Sequence, residues 1–149
     1  MNLMTIKDVF QETSKQHKDV KGFAYGSNYD IAVEKNTDYP ITFLEVPFFF
    51  NYDIEDQNFE EITIGFYVFV RTEVDDRERD YESITYAKFI GDAIIKYINE
   101  FVDEIKIGSY NGITIRQFGD DSVAGIRYDI NVIMPPLCIE DFNDFFYGE

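Results

Sequence analysis

Histidine and cysteine are nearly missing from this chain: His17 and Cys138 are single copies among 149 residues. These side chains carry much of acid–base, nucleophilic and metal chemistry. One of each cannot assemble a zinc site of the usual kind within one subunit. A Ser-His-Asp or Cys-His arrangement would have to bring His17 together with Cys138 or a serine such as Ser109, and no local motif supports that. A lone cysteine forms no internal disulfide, which fits manufacture in a reducing cytoplasm. The Walker A loop, G-x-G-x-x-G and the G-x-S-x-G elbow are all absent. No apolar run approaches the ~20 residues that span a bilayer, and residues 1–5 lack the basic and apolar regions of a signal peptide. The expectation is a non-enzyme without cofactor, resident metal or membrane.

Basic charge is scarce as well. Thirteen Lys and Arg face 29 Asp and Glu, for a formal charge of −16 and an isoelectric point near 4.2. Binding to DNA, RNA or anionic lipid needs clustered cations, so all three are disfavoured. Three readings of the charge remain: an acidic wall past which DNA slides, an acidic surface that imitates DNA, or plain solvation.

Aromatic residues are what the chain has in excess, with 15 phenylalanines and 11 tyrosines. They supply large buried or interfacial area, which favours a protein that works by making surfaces. At this length one domain buries roughly 70% of its unfolded surface without staples, and no linker divides it.

Along the chain, Ile6, Val9, Phe10, Thr13, His17 and Val20 form an apolar stripe at helical spacing. Thr5 and Asp8 stand at its start as a capping-box variant, and Gly22 follows as a stop. His17 lies on the edge of the stripe as a packing residue. Residues 23–60 begin with an irregular excursion or loose hairpin around Ile31 to Val33. Ile41 to Val46 is expected to be a strand, entered through Tyr39-Pro40 and left at Pro47, and therefore at a sheet edge. Phe48, Phe49, Phe50 and Tyr52 cannot all point to one side of a strand, so some meet a second layer or a neighbouring subunit.

Ile62 to Arg71 is the clearest strand. Ile62, Ile64, Phe66, Val68 and Val70 line one face, and the half-apolar opposite face predicts a central strand covered on both sides. The acidic stretch from Glu73 to Asp80 is expected to be a solvated loop. Its Asp75, Asp76 and Asp80 are the oxygen ligands that Ca²⁺ or Mg²⁺ prefers, but the EF-hand spacing is absent, as it is around Asp53, Glu55 and Asp56. With 29 acids, two carboxylates near each other say nothing about a glycosidase pair.

A second, longer helix carries Ile84, Ala87, Ile90, Ile94, Tyr97, Ile98, Phe101 and Ile105 on its buried stripe, with Gly91 marking close packing on the sheet. Asn111-Gly112 signals a tight turn. Ile113 to Phe118 and Ile126 to Met134 then form an antiparallel pair joined by residues 119–125. Ile126, Tyr128, Ile130, Val132 and Met134 should face the core. These elements give an α+β fold, with a mostly antiparallel sheet of about four to five strands and two helices. Residues 1–137 make the domain, and 138–149 an acidic, aromatic C-terminal arm. The arm's Phe142, Phe145, Phe146 and Tyr147 should dock, on their own domain or on a partner, since a fraying end seldom carries so many rings.

The order of elements resembles the tail-terminator and neck ring proteins of the bacteriophage head–tail junction, particularly those of Bacteroides phages including the crAss-like group. Three stretches carry the likeness: Asp38-Tyr39-Pro40-Ile41-Thr42-Phe43-Leu44-Glu45 with Pro47; Ile62 to Val70 running into Glu73 to Asp80 and the helix after it; and Phe118-Gly119-Asp120-Asp121 leading to Ala124-Gly125-Ile126-Arg127-Tyr128-Asp129-Ile130. The resemblance implies helices on one face of the sheet and a non-catalytic subunit. Its copies would close into a six- or twelvefold ring around the DNA channel of a virion, beside portal, neck or tail proteins, after assembly in the host cytoplasm. Candidate contacts are then Phe48, Phe49, Phe50, Phe142, Phe145, Phe146 and Tyr147. Candidate lumen or loop acids are Glu73, Asp75, Asp76, Glu78 and Asp80. The alternative is an acidic DNA-mimic inhibitor or adaptor that binds a basic partner.

Overall fold

Strand β3 (Glu60–Arg71) organises the molecule because both of its faces are apolar. The computed structural model describes residues 3–27, 38–53, 55, 59–72, 77–118 and 123–134. Within these, β3 is the middle of five strands. Helix α1 (Leu3–Gln16) and β1 (Gly22–Gly26) precede β2 (Ile41–Asn51). After β3 come α2 (Arg77–Phe101), β4 (Lys106–Phe118) and β5 (Val123–Met134). The sheet order is β1-β2-β3-β5-β4. Only β1 and β2 run parallel; the remaining pairs are antiparallel. The α+β expectation therefore holds, with five strands and two helices among the described residues.

Both helices cover one face. Ile6 and Phe10 of α1 join Ile90, Ile94 and Ile98 of α2 in a single core with Ile64, Phe66 and Val68 of β3. The inward residues anticipated on β5, Ile126 to Met134 at every second position, lie in this same core. Phe10 meets Phe66 with ring centroids 5.0 Å apart. Each such ring, fully buried, contributes about 1.5–3 kcal/mol relative to exposure. A buried Thr42 hydroxyl donates to the Ser14 hydroxyl at 2.8 Å and ties α1 to β2. Gly91 permits the closest approach of α2 to the sheet, because a Cβ there would overlap the Tyr128 ring. On the opposite face Ile41, Phe43, Tyr67, Phe69 and Val123 form a second buried cluster, as the two-sided pattern of β3 required.

Several local expectations are corrected. Helix α1 starts at Leu3, so Thr5 lies inside its first turn rather than at the cap; it ends at Gln16, so His17 sits in the turn beyond. There the His17 Nδ1 accepts from the Asp19 backbone N–H at 3.1 Å. Gly22 opens β1, a strand that polar punctuation and glycine concealed. β2 is not an edge strand over Ile41 to Glu45, where β1 pairs along its outer side. Among the described residues it becomes one only beyond Glu45. Pro47 falls there, inside a register shift between Glu45 and Phe49 where no ladder donor is needed. Asn111-Gly112 makes no turn: both residues are paired within β4, opposite Asp129 and Tyr128. Tyr97 and Phe101 are 40% and 71% exposed, outside the buried stripe. The hairpin expected around Ile31 to Val33 and the arm 138–149 lie outside the described residues.

Candidate functional site

Among the described residues no group of three or more His, Cys, Asp or Glu converges, so the candidate site is built from exposed rings and their charged surroundings. The β2 aromatics divide as strand geometry demands. Phe48 packs partly against the helix-side core, while Phe49 and Phe50 are each 71% exposed. The register shift before Phe49 carries this end of β2 past the cover of β1. Val46 and Tyr52 are exposed beside them. Acids surround the patch, with Glu60 and Glu61 on the paired end of β3 and Asp53 and Glu55 just after β2. Phe142, Phe145, Phe146 and Tyr147 lie outside the described residues.

A second aromatic surface escaped the sequence reading. Along α2, Tyr81, Phe89 and Phe101 stand largely in solvent, and Tyr86 and Tyr97 are partly exposed. Tyr81, Phe89 and Phe101 are about 70% exposed. Tyr97 and Phe101 pair at 5.0 Å. Between α1 and α2 a shallow groove is lined by Thr13, Gln16 and His17 on one side and Ala93, Ile94 and Tyr97 on the other. The missed signal was the number of aromatics on the same helix as the isoleucine stripe, of which only Tyr86–Phe89 and Tyr97–Phe101 stand at three- and four-residue spacing. Burial pushes the Tyr86 hydroxyl above its ordinary range, and its hydrogen bond with Asp19 adds to that.

The anticipated acids are not brought together. Glu73, Asp75 and Asp76 lie outside the described residues, and Glu78 is exposed. Asp80 is the correction: it is 1% exposed and not part of a solvated loop. Its carboxylate accepts from the Arg116 Nε at 2.6 Å and from the Thr72 hydroxyl at 2.9 Å. It thereby joins the first turn of α2 to β3 and β4, and its negative charge suits that end of the helix dipole.

Two further polar clusters are structural in their geometry. On the face without helices, Arg127 donates to both Glu45 and the Tyr67 oxygen. Tyr67 in turn donates to Glu45 at 3.0 Å, and Asp129 accepts from Arg127 at 3.1 Å. The Glu45–Arg127 pair crosses over Gly65, where a Cβ would lie 2.8 Å from both charged groups. Burial and then Glu45 raise the Tyr67 pKa. For Arg127 burial opposes the charge, but bonds to Glu45 and Tyr67 prevail and hold it above its usual value. On the helix side, the Tyr128 hydroxyl donates to Asp92 at 3.0 Å, and Lys88 pairs with the same carboxylate. Burial, then Asp92, drives the Tyr128 pKa well upward.

Every group in these clusters is saturated by a neighbour. Among the described residues, no buried side-chain nitrogen or oxygen lacks a hydrogen-bond partner. Nor do three or more His, Cys, Asp or Glu residues converge as metal ligands there. No protein-family model matches the chain, and no curated protein matches it.

Proposed function

We propose that this protein is a structural subunit of a bacteriophage head–tail junction, closing with copies of itself into a ring around the DNA channel. One observation carries the reading: each chain presents two separate exposed aromatic surfaces, one at the end of β2 and one along α2. A ring subunit meets its neighbours within the ring and also the protein stacked on it, and so needs more than one contact surface. Exposed rings are the residue type that anchors such contacts. A second surface also leaves room for the neck, portal or tail protein stacked above or below. The α+β fold with both helices on one sheet face agrees with the architecture that the family resemblance implies. The charge of −16 suits a channel past which DNA slides without sticking.

The test is absolute mass in solution, alone and with neighbouring virion proteins, together with tracing the chain in electron micrographs of particles. A closed six- or twelvefold ring on the particle axis is the expected result. A lumen lined mainly by Lys and Arg would refute the acidic-channel part of the reading. A single copy bound to a basic DNA-processing enzyme, released by salt, would replace the whole reading with DNA mimicry.

A further inference from the structure

Resting on that ring reading, we infer that the outer edge of β4 is the docking site for a second copy of this chain, whose β2 edge beyond Glu45 continues the sheet across the subunit boundary. Three independent features converge on this pairing. The first is that, among the described residues, neither edge has a partner strand. β4 ends the strand order, and no described strand lies beyond it. It contains no proline and stays in register from Ser109 to Ile115, between its two irregularities. Edge strands that avoid pairing are usually short, proline-bearing or studded with charge; in β4 the only charged residues are Lys106 and Arg116, with Arg116 held by Asp80, and in the β2 stretch the one proline, Pro47, stands near its start and leaves Phe48 to Asn51 to pair. At the other side of the sheet, β1 stops at Gly26 opposite Glu45, and β2 runs on to Asn51.

Strand direction is the second feature. β2, β3, β5 and β4 alternate in direction, so β4 is antiparallel to β2. A ring rotation that preserves strand direction places the next copy's β2 antiparallel beside β4 and continues the alternation. Antiparallel addition of a strand to an open edge is a common mode of recognition.

Charge is the third. Residues 105–119, which include all of β4, form the longest acid-free run in the chain. The β2–β3 end is rich in acids, with Asp53, Glu55, Glu60 and Glu61. For subunits that each carry −16, this is the pairing of surfaces that least opposes contact. Ile113, 65% exposed on β4, and Phe49 and Phe50, each 71% exposed on β2, supply apolar area to bury.

The experiment is hydrogen exchange on the full chain, dilute and assembled, beside the double variant Ile113→Glu/Thr114→Glu at two exposed β4 positions. On assembly, the outward-facing amides in 48–51 and 109–115, those not bonded to β3 or β5, should both slow by about tenfold or more, the worth of one net backbone hydrogen bond. The variant should melt like wild type yet remain monomeric. Rings that form with the β4 amides unprotected, or that tolerate the variant, overturn the pairing and leave the ring reading intact. Protection of β4 without β2 also overturns it, pointing to a β4–β4 dimer. A chain that stays monomeric at its highest soluble concentration and on particles overturns both.

Discussion

Single residues at crowded or charged positions set how much each contact matters. Gly91 faces the Tyr128 ring with no space for a methyl group. Gly91→Ala should therefore lower stability by about 1–3 kcal/mol through overpacking, although alanine favours helix; thermal unfolding measures it. The Asp80–Arg116 pair should respond asymmetrically. Arg116 is half exposed and can return to water, whereas Asp80 is buried. Arg116→Ala removes the countercharge from a buried carboxylate and should cost about 3 kcal/mol. Asp80→Ala loses hydrogen bonds but leaves Arg116 solvated, and should cost about 1–2 kcal/mol. Denaturant titration of both variants checks the order. Tyr67 and Tyr128 hold their protons above the ordinary tyrosine value of 10.0. The unfolded chain releases those protons first, so their contribution is complete below about pH 10 and declines as pH climbs toward the folded values. Ultraviolet titration should find these phenols silent until alkaline unfolding, and Tyr128→Phe should flatten the slope.

At the level of elements, one amphipathic stripe was easier to recognise than two. α2 carries isoleucines on its sheet side and aromatics on its solvent side, so Tyr97 and Phe101 looked like continuations of the core stripe. They lie near the end of the helix and line the groove between α1 and α2 instead of meeting the sheet. β2 combines a half flanked by β1 and β3 and a half that, among the described strands, pairs with β3 alone, divided at Glu45. Proline at 47 suggests an edge over Ile41 to Val46 and an end to the strand, yet β1 flanks Ile41 to Glu45 and β2 runs on to Asn51. Phe49→Ser/Phe50→Ser removes rings that are largely in solvent. Monomer stability should change by less than about 0.5 kcal/mol, while assembly measured by light scattering is lost. A large fall in monomer melting temperature would place these rings in the subunit's own packing.

For the whole molecule, net charge and contact surface pull against each other. Subunits of −16 repel one another, and that repulsion is long-ranged in dilute salt. Raising ionic strength from about 0.01 to about 0.15 M shortens the screening length from about 30 to about 8 Å. Ring formation should therefore strengthen over that range, as sedimentation at fixed protein concentration would record. DNA mimicry requires the opposite sign, because attraction to a basic enzyme weakens with salt. The direction of the salt effect separates the two readings without any knowledge of the partner.

Sequence by itself determined the α+β class, the inward faces of β3 and β5, the two helices and the close approach at Gly91, because these depend on local periodicity and residue size. The exposed β2 aromatics were legible as well, since four rings in five positions cannot share one face. Tertiary structure alone decided that β1 lies parallel beside β2, that Asn111-Gly112 runs straight through β4, and that Asp80 is buried against Arg116. Each of those outcomes depends on a partner far away in the chain. A strand neighbour can satisfy the backbone of a turn-prone pair, and a distant guanidinium can neutralise an acid that its own neighbours would leave in water. Local pattern fixes which face of an element is apolar; only the assembled sheet fixes what stands opposite it.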